Sequence, residues 1–260
     1  IYKMIKFKYM KLHKSIIILL ILSLYHLKSI CQVSAIYQTE EYISMLKNKK
    51  VAVVVNQASV INDRNLVDTL FDRGVNVKLI LSPEHGFFGS YNAGAYVENS
   101  LYNGVVPIIS LYGKNKKLTN QHLKDIDIVL FDLQDVGVRF YTYISTLHYV
   151  MEGCARKGVP LVVLDRMNPH MHYVDGPVLE IEYASFVGMH PVPVVYGMSI
   201  GEYALMINGQ GWLDDNLICD LHIIQNTVFS RNARVDISMP PPSPNLRNMN
   251  AISLYPSLCF

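Results

Sequence analysis

Cysteine is scarce in this sequence of 260 residues, and its four cysteines show no CxxC spacing. This excludes a zinc framework and a disulfide-dense scaffold. Cys154 falls on the apolar face of a predicted helix and is expected in the core. His170 and His172 form an HxH pair without a third ligand at a telling spacing, so no metal site is expected.

The sequence also lacks the common nucleotide and nucleophile motifs. It contains no Walker loop, no GxGxxG and no GxSxG, so phosphoryl transfer, dinucleotide binding and serine hydrolysis have no support. Charge is low as well, with 17% charged residues and a formal net charge of +2. Six lysines lie in the first 32 residues, which hold no acid, so the remaining chain is mildly acidic. That balance argues against nonspecific binding to nucleic acid.

No apolar run is long enough to span a bilayer comfortably, which takes about 20 residues. The apolar run at 16–24 follows Lys11 and Lys14, and small or neutral residues surround Ser29 and Cys31. This order predicts a secretory signal over 1–32, with cleavage before Gln32 and a secreted or periplasmic product. The alternative is an uncleaved anchor.

Short β-branched runs alternate with amphipathic segments through the first two thirds of the chain. Strands are predicted at 51–55, 75–81, 105–110, 126–131 and 160–164, and helices at 64–73, 119–123, 142–157 and 199–208. The alternation predicts an α/β fold with a Rossmann-like, doubly wound, mostly parallel sheet. Prolines interrupt the pattern after residue 168. We therefore predict a Rossmann-like domain over 33–200 and the start of a smaller, incomplete α+β domain over 201–260.

Polar and ionisable side chains follow nearly every predicted strand. Ligands of open parallel sheets bind beyond the carboxyl ends of the strands, so these residues are candidates for a site, although loop polarity explains part of the pattern. The candidates are Asn56, Glu84, His85, Asp132, Gln134, Asp135, Arg139, Asp165, Arg166 and Asn168.

Glu84 is the strongest candidate for chemistry. Desolvation at the mouth of a buried sheet raises the pKa of a carboxyl, which suits a general acid, and His85 beside it is placed to tune or relay the proton. An ordinary polar loop is the alternative. A second cluster, Asp132 to Arg139, offers pairing between an acid and an arginine for binding sugar hydroxyls or a carboxylate, or else a structural ion pair.

Two further candidates have strong structural alternatives. Ser199 and Glu202 have the spacing of a capping box, which spacing alone favours over a catalytic role for Glu202. Tyr141 and Tyr143 suit stacking on a sugar face but suit the core slightly better.

Seven motifs occur in an order that resembles one family. They are SPEHGFFG (82–89), LYG (111–113), FDLQDVGVRFYTY (131–143), LDRMNP (164–169), DGPV (175–178), YGMSIGE (196–202) and PSPN (242–245). Together they resemble the exo-β-N-acetylmuramidase family from about residue 50 onwards, and INGQGWL (207–213) resembles its Bacteroidetes branch. Met167 stands where that family usually has proline.

The resemblance implies a Rossmann-like domain and a smaller second domain with the active site between them. It implies release of N-acetylmuramic acid from the non-reducing end of peptidoglycan fragments, that is, MurNAc–GlcNAc saccharides, without a metal or organic cofactor. No nucleic acid partner and no membrane span after signal cleavage are expected. Glu84 is carried over as the catalytic acid, with His85 and Glu202 as further catalytic candidates.

The resemblance also implies a substrate pocket and a second carboxyl, for which Asp132, Asp135 and Glu202 compete. Arg139 or Arg166 is the candidate partner of the lactyl carboxylate of N-acetylmuramic acid. The expected substrate-binding residues are Asn56, Asp132, Gln134, Asp135, Arg139, Tyr141, Asp165, Arg166 and Asn168.

The family continues for roughly a hundred residues past Phe260, a typical size for a small second domain, so we expect the chain to be cut short. The alternatives to a hydrolase are a noncatalytic muropeptide-binding protein, an inactive gene fragment, or a different small-molecule α/β enzyme.

Overall fold

The structure is a computed structural model that describes residues 34–92, 94–226 and 240–258. The predicted signal segment therefore lies outside the described residues. Within the described part, no helix is long and apolar enough to cross a membrane.

A seven-stranded sheet forms the centre of the fold. Its strands lie in the order β5-β6-β4-β1-β7-β8-β9, and every neighbouring pair is parallel except β5 and β6. A short antiparallel hairpin, β2 and β3, lies apart from it. The strands are β1 Lys50–Val55, β2 Val60–Ile61, β3 Arg64–Asn65, β4 Asn76–Ser82, β5 Ser100–Tyr102, β6 Val106–Ser110, β7 Ile128–Asp132, β8 Leu161–Leu164 and β9 Leu221–Ile224.

In the part of the chain that the structure describes, five α-helices accompany the strands, and 3₁₀ turns occur at Ala35–Tyr37, Ile181–Tyr183, Asp214–Asn216 and Tyr255–Leu258. The α-helices are α1 Thr39–Leu46, α2 Leu66–Asp72, α3 Tyr143–Lys157, α4 Ile200–Gly209 and α5 Met249–Leu254.

The alternation of side chains along the buried strands explains why helices cover both faces. In β1, Ala52 and Val54 belong to one apolar core, together with the buried face of α3, while Val51, Val53 and Val55 belong to the other, with α1 and α2. Successive side chains of a strand point to opposite faces, so a continuous β-branched run requires cover on both sides. The predicted doubly wound α/β fold is confirmed.

The five predicted strands are all present, and the helix predicted at 142–157 is confirmed as α3. It ends at Gly158, whose φ of 70° is the left-handed conformation that glycine adopts most readily. Cys154 lies on α3 fully buried, as predicted. Two helix predictions were partly or wholly wrong. The segment 119–123 forms turns, and residues 64–65 pair in β3 before α2 begins.

The start of α2 has a local cause. Asn65 is its N-cap, and the side-chain oxygen of Asn65 accepts a hydrogen bond from the backbone N–H of Val67 at 2.9 Å. An N-cap residue has extended backbone angles, which is compatible with Asn65 also pairing in β3.

The chain after residue 200 contributes to the same sheet. Its helix α4 leads to β9, which pairs in parallel with β8 through Leu161 and Leu221. The second-domain boundary at 200 stays a prediction, but the described residues from 34 onwards include these elements within one compact unit.

The strand order places a topological switch at β1. The chain runs outward from β1 through β4 to β6 on one side, and through β7 and β8 to β9 on the other. Open α/β sheets bind ligands at the carboxyl edge beside such a switch. The residues that follow β1, β4, β7 and β8 therefore meet at this edge.

Candidate active site

Glu84 lies at the carboxyl edge of the sheet, two residues past the end of β4, and is partly buried. Its Oε1 accepts a hydrogen bond from the backbone N–H of Gly94 at 3.1 Å, and its Oε2 accepts one from Thr142 Oγ1 at 3.1 Å. The hydroxyl of Tyr112 also hydrogen bonds to Glu84; burial and this bond raise the pKa of Tyr112 to about 12. Three separate segments thus position one carboxylate.

Thr142 shows how the start of α3 serves this site. Thr142 occupies the N-cap position, yet its side chain caps no backbone N–H of the helix. Its hydroxyl donates to Glu84 instead. The sequence prediction treated Thr142 only as the beginning of a helix, and local sequence carries no signal for this contact across 58 residues.

His85 connects the Glu84 loop to the proline-rich segment. Its backbone has a φ of 71°, and its Nδ1 lies 2.8 Å from the carbonyl oxygen of Tyr91. A carbonyl only accepts, so Nδ1 carries a proton, and Nε2 lies 3.1 Å from the hydroxyl oxygen of Ser243. Both ring nitrogens are engaged in holding loops together. A proton relay through His85 stays a prediction.

The proline-rich segment covers the end of β1. The backbone carbonyl of Pro242 accepts from Tyr143 Oη at 2.7 Å, and Gln57 Nε2 donates to the carbonyl of Pro241 at 2.9 Å. Asn56, predicted as a substrate contact, is fully buried beneath this segment and donates to Tyr143 Oη at 2.8 Å.

Asp132 and Arg166 form a two-pronged ion pair. Arg166 donates to both carboxylate oxygens of Asp132, at 2.6 and 2.7 Å. The Asp132 side chain is fully buried and that of Arg166 is 11% exposed. The sequence suggested pairing within the Asp132–Arg139 cluster, which is wrong because the partner of Asp132 comes from the loop after the neighbouring strand, β8.

Arg139 is held elsewhere. Its Nη1 donates to the carbonyl oxygens of Pro177 and Val192, at 2.8 and 2.5 Å. Its backbone N–H donates to the carbonyl of Val194 at 2.8 Å. Arg139 thus fastens the loop that follows β7 to the segment 177–194.

Asp135 is almost completely buried. Its Oδ2 accepts hydrogen bonds from the backbone N–H of Gly137 at 2.6 Å and from the hydroxyl of Tyr196. Burial raises the pKa of Asp135 from 3.8 to about 6, although these two hydrogen bonds act in the opposite direction. Gln134, also buried, donates from Nε2 to the carbonyls of Asp135 and Met167 at 2.8 and 2.9 Å.

The raised pKa of Asp135 makes stability depend on pH. Between about pH 4 and pH 6 the folded protein keeps a proton that the unfolded chain has released, so this carboxyl's contribution to stability falls as pH rises. A shift of this size corresponds to about 3 kcal/mol at neutral pH. We expect Asp135→Asn to lose that decline, as measured by urea unfolding at pH 4 and pH 7.

Comparison with a matched variant isolates the effect. Asp165 also has a pKa raised by burial, and burial lowers the pKa of His190 to about 3, but both groups remain in every variant. Asp63 is exposed, so the variant Asp63→Asn should show the wild-type difference in the free energy of unfolding between pH 4 and pH 7. If the free energy of unfolding changes by the same amount from pH 4 to pH 7 in Asp135→Asn and in Asp63→Asn, Asp135 is not the source of the pH dependence.

Asp165 and Glu202 meet at the start of α4. Asp165 Oδ1 accepts from the backbone N–H of Gly201 at 2.8 Å, and its Oδ2 accepts from Asn226 Nδ2 at 3.2 Å. Ser199 and Glu202 form the predicted capping box, each side chain accepting from the other's backbone N–H. The two carboxyl side chains line a cavity of 160 Å³ together with Gly201, Leu205, Ile223, Gln225 and Asn226.

Asn168 and Tyr141 are packed into the structure. Asn168 is fully buried, donates to the carbonyl of Met198 and accepts from the backbone N–H of His170 at 2.7 Å. A side chain at Gly137, whose φ is 76°, would collide with Asn168. Tyr141 is buried with its ring centroid 4.5 Å from that of Tyr143, so the core alternative is confirmed.

The predicted residues form two groups on either side of the sheet's switch point. Glu84, His85 and Asn56 surround the ends of β4 and β1. Asp132 is the last residue of β7 and Arg166 follows β8, and the remaining candidates lie on this side as well. Tyr143 lies within electrostatic reach of both groups, because the charges of Glu84 and Asp135 both raise its pKa, after burial as the largest cause. The sequence prediction missed three contributors at this edge, which are Thr142, Pro242 and Ser243.

Comparison with known proteins identifies the family to which the ordered motifs belong. A family model described as exo-β-N-acetylmuramidase NamZ, N-terminal, matches residues 51–250. The chain belongs to this family. A peptidoglycan β-N-acetylmuramidase NamZ from Bacillus subtilis strain 168 is 39% identical over 224 residues, covering 84% of this chain and 53% of that protein.

Two solved structures from Bacteroides fragilis are also similar to this chain, and both are described as DUF1343 family proteins. One has a TM-score of 0.78 and 41% identity, covering 87% of this chain and 60% of its own. The other has a TM-score of 0.77 and 33% identity, covering 85% and 58%. The chain thus spans about half of the curated NamZ relative and somewhat more of the two structures.

Proposed function

We propose that this protein is an exo-acting glycoside hydrolase that releases N-acetylmuramic acid from the non-reducing end of peptidoglycan fragments. Membership of the NamZ family and 39% identity to a peptidoglycan β-N-acetylmuramidase support this activity. The observation that carries it is the placement of Glu84 in the SPEHG motif, where its carboxyl group lies at the carboxyl edge of β4 and is held by Thr142 and Gly94.

Glu84 acts as the general acid in this proposal. The glycosidic oxygen takes a proton from the Glu84 carboxyl group as the bond to the sugar's anomeric carbon breaks. The oxygen of a water molecule bonds to that carbon, and the proton that this water releases restores the carboxyl group of Glu84. Fixing the carboxyl from three segments limits its rotation, so the proton is delivered to one position.

The other carboxyl groups shape the site. Asp132 is bound by Arg166, Glu202 caps α4, and Asp135 is buried against Tyr196. Each holds one loop of the carboxyl edge in place. We therefore propose that these three carboxyl groups have structural roles around the site, and that Glu84 transfers the proton.

Hydrolysis of two chromogenic glycosides tests the activity. The protein is incubated with a β-N-acetylmuramide and with the matching β-N-acetylglucosaminide, both as this chain and extended to the length of its relatives. We expect release of the chromophore from the muramide alone. If neither version cleaves either glycoside while circular dichroism shows native structure, the proposed activity is wrong.

We also propose that the protein is exported, with the substrate being peptidoglycan-derived saccharides outside the cytoplasm. The lysine-flanked apolar run at 16–24 supports this, as does the substrate, which is a cell-wall polymer in the named relative. Mass spectrometry of the mature protein tests it. A product beginning at Gln32 supports cleavage, and an intact N-terminus in the cytoplasmic fraction contradicts export.

A further inference from the structure

A cluster of three aromatic rings and one lysine adjoins Glu84. We call Tyr112, Lys116, Tyr149 and Phe186 the lysine cluster. The ring centroids of Tyr112 and Phe186 lie 6.1 Å apart, and Phe186 stacks on Tyr149 at 6.0 Å with 9° between the planes. Because Tyr112 also hydrogen bonds to Glu84, the cluster is continuous with the proposed acid.

Phe186 is presented by a tight turn. Ser185 and Gly188 exchange two backbone hydrogen bonds, at 2.8 and 3.0 Å, with Phe186 and Val187 between them. Reciprocal bonds around two residues define a hairpin turn, which fixes the backbone of Phe186. The ring therefore has a defined place between Tyr112 and Tyr149.

Lys116 is one of two cations that lie over rings of the cluster. Its Nζ lies 4.5 Å from the centroid of the Phe186 ring, a cation–π distance. The side chain is partly exposed, and within the described part of the chain no carboxylate pairs with it. Its neighbour Lys117 also lies over a ring of the cluster, with its Nζ 5.0 Å from the centroid of Tyr149. Lys117 differs because the same Nζ lies 3.4 Å from Glu152 and 3.7 Å from Asp214.

The arginines considered for carboxylate recognition have other partners. Arg166 makes a two-pronged pair with buried Asp132, and Arg139 donates to the carbonyls of Pro177 and Val192. These bonds already engage part of each guanidinium group. The ring face of Phe186 attracts the ammonium group of Lys116 but does not accept hydrogen bonds in the way a carboxylate does, so the N–H donors of Lys116 stay available to a ligand.

We propose that Lys116 binds a carboxylate of the substrate next to Glu84, with Phe186 holding the ammonium in position. The carboxylate belongs either to the lactyl group of N-acetylmuramic acid or to a peptide joined to that group. This inference rests on the proposed function, since both carboxylates occur in peptidoglycan fragments. Lys116 is then a specificity-determining residue and Phe186 a positioning residue.

Titration calorimetry tests the proposal without requiring catalysis. The full chain is titrated with N-acetylmuramic acid, N-acetylglucosamine and muramyl dipeptide, in which the lactyl carboxyl is an amide and the peptide carries the carboxylate. We expect Lys116→Gln to weaken binding of N-acetylmuramic acid about tenfold, the loss typical of a hydrogen bond to a charged group. Binding of N-acetylglucosamine should not change. Lys114→Gln, exposed in the same loop, is the control.

The results separate the two sources of the carboxylate. If Lys116→Gln weakens binding of N-acetylmuramic acid alone, Lys116 binds the lactyl carboxylate. If it weakens binding of muramyl dipeptide alone, Lys116 binds the carboxylate of the peptide. Phe186→Leu should reproduce part of the loss, and Phe186→Tyr should restore binding because it keeps the ring.

Three results would overturn the proposal. The first is that Lys116→Gln binds the muramyl ligands as tightly as Lys114→Gln does. The second is that Lys116→Gln weakens binding of N-acetylglucosamine as much as it weakens binding of the muramyl ligands. The third is that the wild-type protein shows no measurable binding of either muramyl ligand. The proposed hydrolase activity fails separately. If the protein binds N-acetylmuramic acid through Lys116 but does not cleave the chromogenic muramide, the proposed activity is wrong and the role of Lys116 in binding stands.

Discussion

Glu84→Gln is expected to lower kcat on a chromogenic β-N-acetylmuramide by about 10²- to 10⁴-fold, the usual contribution of a general acid. Glutamine has nearly the size of glutamate and keeps one oxygen that can accept from Thr142 or Gly94. It has no carboxyl proton to deliver to the glycosidic oxygen. The measurement is kcat and KM for Glu84→Gln and wild type, on the version that shows activity.

A matched glutamate provides the control for this prediction. Glu180 is exposed, so Glu180→Gln changes the same charge without touching the site and should retain wild-type kcat. Circular dichroism and the melting temperature of both variants check the fold. If Glu84→Gln retains the wild-type kcat, Glu84 is not the general acid of the reaction that the protein catalyses.

Arg166→Met is expected to lower the free energy of unfolding by about 3 to 5 kcal/mol, because it leaves the buried carboxylate of Asp132 without its partner. Burying both charged groups costs desolvation free energy, so replacing both residues lowers stability less than replacing Arg166 alone. The double variant Asp132→Leu with Arg166→Met should recover much of the loss. Urea unfolding monitored by circular dichroism gives the free energies.

An exposed ion pair supplies the comparison. Arg64 and Asp72 also pair, but their side chains are 55% and 54% exposed. Arg64→Met should cost no more than about 1 kcal/mol, since water already screens that pair. A cost for Arg166→Met no larger than that for Arg64→Met would show that the Asp132–Arg166 pair does not stabilise the fold in the way its burial indicates.

Local sequence was informative where a residue's surroundings follow from its neighbours in the chain. The run at 51–55 identified β1 because β-branched residues without polar alternation need burial on both faces of a sheet. The spacing of Ser199 and Glu202 identified the capping box for the same kind of reason, since all four groups involved lie within one turn of helix.

Local sequence failed where the partner is distant. Asp132 has an arginine seven residues away at Arg139, but pairs with Arg166, 34 residues away, because β7 and β8 are neighbours in the sheet and end at the same edge. The edge strands β5 and β9 were also missed. Edge strands have a neighbour on one side only and carry a weaker burial pattern, as the partly exposed Leu221–Ile224 shows.

By itself, the sequence determined the α/β class, the order of most strands and helices along the chain, and the motifs that belong to the NamZ family. These depend on short-range periodicity and on residue identity. The tertiary structure decided that Thr142 and Tyr112 hold Glu84, that the proline-rich segment covers Asn56, and that Lys116 lies on Phe186. Such contacts follow from which strand ends meet at one edge of the sheet, and strand order is a property of the packed molecule rather than of any segment of it.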